Sequence, residues 1–251
     1  MLISRDMPPV KDHILRRDFQ HGKVAYGFQW NTAHHKNLGY KEGDLASLWA
    51  HLNSILSGNV PANPFIDPFF TRASRLRFSD MSKSEKVGFR KKLKRTGDLT
   101  AHVDDDLVNM LRDYHRSRND LSYSSDHSIL KEFILNDPQT IAIEVPVWSE
   151  RYKMTGHVDL IRFVDGIIHV CDYKPGPLER TKSRFMDSIP QVSAYGEMIA
   201  HHLANTLRTA FEAPLLPNIK CCIFDTHSCW HFGAEMFVKL ETMGKISGFQ
   251  T

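Results

Sequence analysis

The sequence predicts an α/β protein, with a mostly helical N-terminal region over residues 1–98 followed by an α/β core over residues 99–251. Three observations predict it. Apolar residues recur at helical spacing in several segments before residue 136. After Pro138 the pattern changes to short β-branched runs bounded by turn residues. One long helical segment then separates those runs from a final pair of strands. A chain of 251 residues is long enough for one large domain, or for a core with a substantial accessory part.

The first forty residues show no clean period, although HGKVAYGFQW contains strand-like stretches. Leu45, Leu48, Trp49, Leu52, Ile55 and Leu56 then recur as in a helix, with Asp44 suited to cap its start and Gly58 its end. PANPFIDPFF is too rich in proline for a helix and reads as a connecting loop. Ser82 and Glu85 form a capping-box pattern that opens a helix over 82–95, and Gly97 fits the far end. This helix carries Lys83, Lys86, Arg90, Lys91, Lys92, Lys94 and Arg95 on about three turns. Such a run is either a solvated face or a surface that contacts phosphates. Leu107, Met110, Leu111 and Tyr114 share one face of the next helix, and Asp104 to Asp106 suit its positive N-terminal end. A shorter helix, from Asp126 to Leu135, packs Ile129, Leu130, Phe133 and Ile134. IAIEVPVW, GHVDLIRF and IIHVCDYK are predicted strands, SIPQVSAYGEMIAHHLANTL a helix, and NIKCCIF with CWHF a final hairpin. A helix near Ala234 to Met243 closes the chain, and no internal repeat is visible.

Bulk composition narrows the class without naming a function. At 41% hydrophobic and 24% charged the chain has the balance of a globular protein, and no apolar run approaches a membrane span. The N-terminus, MLISRDMPPVKDHILRR, lacks the apolar stretch of a signal peptide, so a cytoplasmic location is expected. A net charge of +3 is too small to identify a partner. Cys171, Cys221, Cys222 and Cys229 form no CxxC pair and are expected to be buried, reduced thiols.

The chemistry is concentrated in GHVDLIRFVDGIIHVCDYK. Asp165-Gly166 signals a two-residue type I′ turn, and in such a hairpin facing residues share one sum. Here 165 + 166 and 159 + 172 both equal 331, so Asp159 and Asp172 are predicted to be cross-strand neighbours. Lys174, two residues beyond Asp172, projects from the same face. Two carboxylates in that relation repel one another and need compensation. A divalent cation supplies it, since oxygen ligands suit Mg²⁺ and Mn²⁺. A solvated hairpin is the alternative, but Val158, Leu160, Val170 and Cys171 indicate strands buried over much of both faces.

GHVDLI, then VCDYKPG, then QVSAY on the next helix resembles the RecB-like branch of the PD-(D/E)xK nuclease superfamily, which includes the CRISPR-associated RecB-like exonucleases. The resemblance covers roughly residues 124 to 232 and implies a restriction-endonuclease-like core with a mixed central sheet flanked by helices. It implies that Asp159 is the central metal ligand, Asp172 the second acidic ligand, Lys174 the catalytic lysine, and the backbone carbonyl of Tyr173 part of the metal shell. Glu144 matches an acidic position in the preceding strand and would assist the metal directly or through water; a salt-bridged strand-end glutamate is the alternative. A histidine ligand from an upstream helix is implied too. His127 is the first candidate, with His115 and His157 as competitors.

Gln191 and Tyr195, spaced i, i+4, match the branch's Gln-x-x-x-Tyr, which approaches DNA and supports the site. A competing role for Gln191 is a capping box with Ser188, with Pro190 in the first helical turn. Arg180, Lys182 and Arg184, together with Arg90, Lys91 and Lys92, are the candidate phosphate contacts. The iron–sulfur members of the branch have one cysteine well upstream, whereas no cysteine precedes Cys171 here. No iron–sulfur cluster is therefore expected. The function that follows is Mg²⁺- or Mn²⁺-dependent hydrolysis of single- or double-stranded DNA, as an exonuclease of repair, recombination or mobile-element processing. A ribonuclease and a catalytically silent nucleic-acid-binding module of the same fold are the alternatives.

Overall fold

The computed structural model describes residues 13–21, 24–118, 128–175, 184–206 and 217–249. The strands are β1 (Ile14–His21), β2 (Val24–Asn31), β3 (Thr71–Arg72), β4 (Arg77–Phe78), β5 (Thr100–His102), β6 (Thr140–Ser149), β7 (Met154–Val164), β8 (Ile167–Tyr173), β9 (Ile219–Phe224), β10 (Cys229–Gly233) and β11 (Ile246–Ser247). The helices are α1 (Thr32–Asn37), α2 (Gly43–Leu56), α3 (Asn63–Ile66), α4 (Lys83–Thr96), α5 (Asp106–Ser117), α6 (Ser128–Asn136), α7 (Arg184–Thr206) and α8 (Met236–Thr242). One mixed sheet runs β1-β2-β6-β7-β8-β9-β10-β5, with β3 added parallel to β7. All neighbours along that path are antiparallel except β8 and β9, which are parallel and separated in sequence by α7. A parallel pair needs such a crossover, because a tight turn only joins antiparallel strands.

The predicted Asp-Gly turn forms. Asp165 and Gly166 have φ of 50° and 81°, the two left-handed residues that a type I′ turn demands. Pairing from Val164↔Ile167 back to Leu160↔Cys171 keeps the sum of 331 throughout. Two layers of buried side chains cover the sheet. Ile143, Leu160, Cys171, Tyr173, Cys222 and Phe224 pack with α5 and α6. Ala142, Ile161, Val170 and Ile223 belong to the larger cluster that contains Ile189, Val192 and Met198 of α7.

The expected boundary at residue 98 is not a break in packing. Phe28, Trp30, Leu48 and Leu52 lie in the same core cluster as Val192 and Met198, and β2 pairs directly with β6. The N-terminal region is also less helical than predicted, since it contributes the β1–β2 hairpin to the main sheet. Its alternation was obscured because β1 is mostly exposed while β2 is largely covered. The Ser82–Glu85 capping box and the left-handed Gly97 end α4 as predicted. Asp44, in contrast, is not a cap: it lies in the first turn of α2, behind an N-cap Glu42 that makes no side-chain cap bond. The loop over PANPFIDPFF contains the single turn α3, which starts at Asn63-Pro64 because proline is tolerated in a first turn. Among the described residues, no helix is long and apolar enough to cross a membrane.

Candidate active site

Asp159 and Asp172 stand next in register beyond Leu160↔Cys171, where the β7–β8 ladder ends. Instead of extending the ladder, the Asp159 carboxylate inserts there and accepts the backbone N–H of Tyr173 at 2.9 Å. Both residues are buried, at 9% and 3% exposure. Lys174 is held by its own backbone N–H, which donates to the Phe224 carbonyl at 2.9 Å and extends the β8–β9 pairing by one residue. Its Nζ reaches Asp172 Oδ2 at 2.5 Å, an ion contact without hydrogen-bond alignment.

From the opposite side, α7 delivers Gln191 and Tyr195. The Gln191 amide donates to Asp172 Oδ1 at 3.3 Å and to Tyr195 Oη at 2.9 Å, while its Oε1 accepts from Lys174 Nζ at 3.3 Å. Only one orientation of the amide satisfies all three partners, because Nε2 offers two donors and Oε1 none. The capping-box alternative for Gln191 fails. The helix starts at Arg184, so Ser188 and Pro190 lie inside it and the amide is not committed to the backbone. Tyr195 is buried, and burial, then the Asp172 carboxylate, push its hydroxyl far above the usual range. It therefore stays protonated and neutral beside the carboxylates.

The strand under Tyr195 carries Gly156, whose role sequence reading missed. A side chain there would collide with the Tyr195 ring. The one available signal was a glycine inside a β-branched run, which marks a bulge or a close approach.

Glu144 lies between Ile143↔Leu160 and Val145↔Val158, so it falls opposite Asp159 in register. Its φ of 53° is left-handed, a rare conformation for a glutamate within a strand. The consequence is visible on both sides of it. Ile143 and Leu160 pack with α6, whereas Val145 and Val158 join the α7-side cluster, so the alternation of faces is interrupted at this row. Glu144 lines a cleft of about 260 Å³ with Arg16, Tyr26, Gln29 and Lys131. Non-glycine residues held in such backbone regions cost about 1–3 kcal/mol each and cluster at functional sites.

Of the three histidine candidates, His127 lies outside the described residues. His115 is buried on α5 beside Tyr114. His157 sits under Tyr26, with ring centroids 3.8 Å apart, and burial above all depresses its pKa to about 3. It is neutral at ordinary pH.

The proposed phosphate contacts are dispersed. Arg180 and Lys182 lie outside the described residues, and Arg184 opens α7. Helix α4 docks through the buried Leu93, worth about 1.5–3 kcal/mol, and the half-buried Phe89, which packs against Phe78. Lys86 on α4 pairs with Asp187 at 2.7 Å, four residues before Gln191 on α7. Arg90 lies over Trp230 at 5.9 Å, leaving Lys91 and Lys92 exposed. The structure thus brings Asp159, Asp172, Lys174, Gln191 and Tyr195 together and tethers the cationic helix near them.

Comparison with known proteins adds no assignment: no protein-family model matches the chain, and no curated protein matches it.

Proposed function

We propose that the chain is a metal-dependent nuclease of the PD-(D/E)xK type that hydrolyses DNA phosphodiester bonds. One observation carries this reading: two buried carboxylates stand next in register on adjacent strands, and one of them, Asp172, shares a compact polar network with Lys174 and Gln191. Such a group is costly inside a core unless geometry and charge are compensated. The restriction-endonuclease-like fold reading is supported by β6, β7 and β8 running antiparallel and by the helical crossover to a parallel β9.

The residues present fit a hard divalent cation. Their donors are oxygens, and Asp172 Oδ2 is buried without an aligned hydrogen bond. Asp159 and Asp172, with the Tyr173 carbonyl, would hold Mg²⁺ or Mn²⁺. Such a cation supplies Lewis acidity at the phosphoryl group and acidifies water. Lys174 offers an ammonium beside the reacting oxygens, where it orients the nucleophile and offsets developing negative charge. Gln191 positions both Lys174 and Asp172, and Tyr195 fixes Gln191. The exposed α4 lysines guide the phosphate backbone toward this face.

The test is cleavage of end-labelled single-stranded DNA, double-stranded DNA and RNA in Mg²⁺, Mn²⁺ or EDTA. Cleavage of DNA that needs the metal and disappears in Asp172→Ala is expected. Binding without turnover in every metal, or cleavage that persists in Asp172→Ala, overturns the assignment. Preferential cleavage of RNA moves the substrate to the ribonuclease alternative.

A further inference from the structure

On the α5/α6 side of the sheet, a second cluster of ligating side chains lies outside the acidic site. Cys171 and Cys222 are partners across the parallel β8–β9 pair, and Cys222 and His231 are partners across β9–β10. One row therefore crosses three strands as Cys171–Cys222–His231. Cys229, two residues before His231 on β10, points to the same face and brings its Sγ within 2.7 Å of Cys222 Sγ. Donor atoms of Cys222, Cys229 and His231 all lie within 4.8 Å of one another.

We infer that Cys222, Cys229 and His231 bind a borderline-soft divalent cation, zinc by donor type. Sulfur and imidazole ligands select this class over the oxygen-seeking Mg²⁺. A tetrahedral site needs sulfurs about 3.8 Å apart, given zinc–sulfur bonds of about 2.3 Å. Opening the Cys222–Cys229 contact to that spacing takes roughly 1 Å of side-chain rotation.

Two features around the cluster suit a metal. His231 Nε2 meets Asp105 Oδ2 at 2.8 Å, which leaves Nδ1 as its ligating atom. A carboxylate on the far nitrogen of a ligating histidine fixes its tautomer and raises its basicity. His231 also lines a cleft of about 330 Å³ with His102, Asp105 and His169, an entry path from solvent. Burial opposes thiolate formation at Cys222 and Cys229. A bound cation deprotonates its thiols outright. This site would tie β9 and β10 together beside β8, and it stands independently of the nuclease reading.

The test is metal content of the full chain purified without chelator, followed by cobalt reconstitution after release with a mercurial. About one zinc per chain is expected, together with thiolate-to-cobalt charge-transfer bands and intense tetrahedral ligand-field bands. Asp172→Asn should retain the metal, which separates this site from the acidic one. The Cys222→Ser and Cys229→Ser variants should lose the bands. Asp105→Asn, which removes no ligand, should weaken zinc affinity about 10–100-fold. Circular dichroism on each variant separates a lost ligand from a lost fold. The wild-type readout alone can overturn the inference: four titratable thiols with no zinc and no cobalt bands, or a Cys222–Cys229 disulfide in the fresh protein. Bands that survive in a folded Cys222→Ser protein overturn it as well.

Discussion

The ring of Tyr195 on α7 occupies the space that a side chain at position 156 on β7 would need. Because the Tyr195 hydroxyl also receives the Gln191 amide, this close approach sets the height of α7 over the acidic pair. Gly156→Ala is therefore expected to displace Tyr195 and loosen Gln191. Overpacking of this kind costs about 1–3 kcal/mol. Thermal unfolding should show that loss, and turnover in the proposed nuclease reaction should fall further than the stability change explains. Wild-type turnover in Gly156→Ala would show that the Tyr195 contact does not position the site.

Lys174, half-buried, forms an ion pair with the buried Asp172, so removing one partner has two separable effects. Lys174→Met should lower kcat by about 10²–10³-fold with little change in KM, as for loss of a charge that acts in the transition state. It should also destabilise the metal-free protein, because breaking a buried pair leaves a charge without its counterpart, at a cost of about 3–5 kcal/mol. The double variant Asp172→Asn/Lys174→Met should recover much of the stability and none of the activity. Denaturant unfolding in EDTA measures the first quantity and single-turnover cleavage the second.

Stability should fall with acid through buried histidines. His35 Nδ1 accepts the Trp30 indole N–H at 3.1 Å, and Nε2 bonds to the Leu45 carbonyl at 3.0 Å, so a second proton has no place to go. Burial lowers its pKa from 6.5 to about 4 against a smaller opposing effect of the Leu45 bond. Between those values the unfolded chain binds the proton and the folded chain does not. The histidine's contribution is thus fully present above pH 6.5 and is lost as pH drops toward 4, by at most about 1.4 kcal/mol per unit. His51, buried with its pKa also lowered to about 4, acts in the same direction. Melting temperatures measured from pH 7.5 to 4 should decline more steeply for wild type than for His35→Gln. Equal slopes would mean that His35 does not contribute.

Lys91 and Lys92 are exposed on α4, whereas Arg90 is drawn over Trp230. If the α4 face tracks a phosphate backbone, Lys91→Ala and Lys92→Ala should each weaken DNA binding across all sequences. Each should also reduce the slope of log K against log salt by about one. Fluorescence anisotropy at several salt concentrations, with EDTA to prevent cleavage, measures both. Unchanged slopes would reduce this helix to a solvated face.

What the sequence alone determined was local. The Asp165-Gly166 turn and its 331 register were readable because a two-residue loop leaves no freedom in strand alignment. The α4 capping box was readable because both partners lie within one turn. By the same arithmetic Asp159, Asp172 and Lys174 could be placed on one hairpin before any packing was known. Tertiary structure decided whatever depends on elements far apart in the chain. The β1–β2 hairpin joins β6 across more than a hundred residues, so nothing local marks it as part of the main sheet. Sequence left Gln191 between a role at the site and a cap with Ser188; it bridges Asp172, Lys174 and Tyr195 because α7 begins one turn earlier than Ser188 suggested. The cysteines looked like separate buried thiols because their convergence needs the parallel β8–β9 pairing, which no turn encodes. As for the acidic pair, sequence placed the two aspartates side by side. Packing then ended the ladder one residue short and sent the Asp159 carboxylate to the Tyr173 backbone.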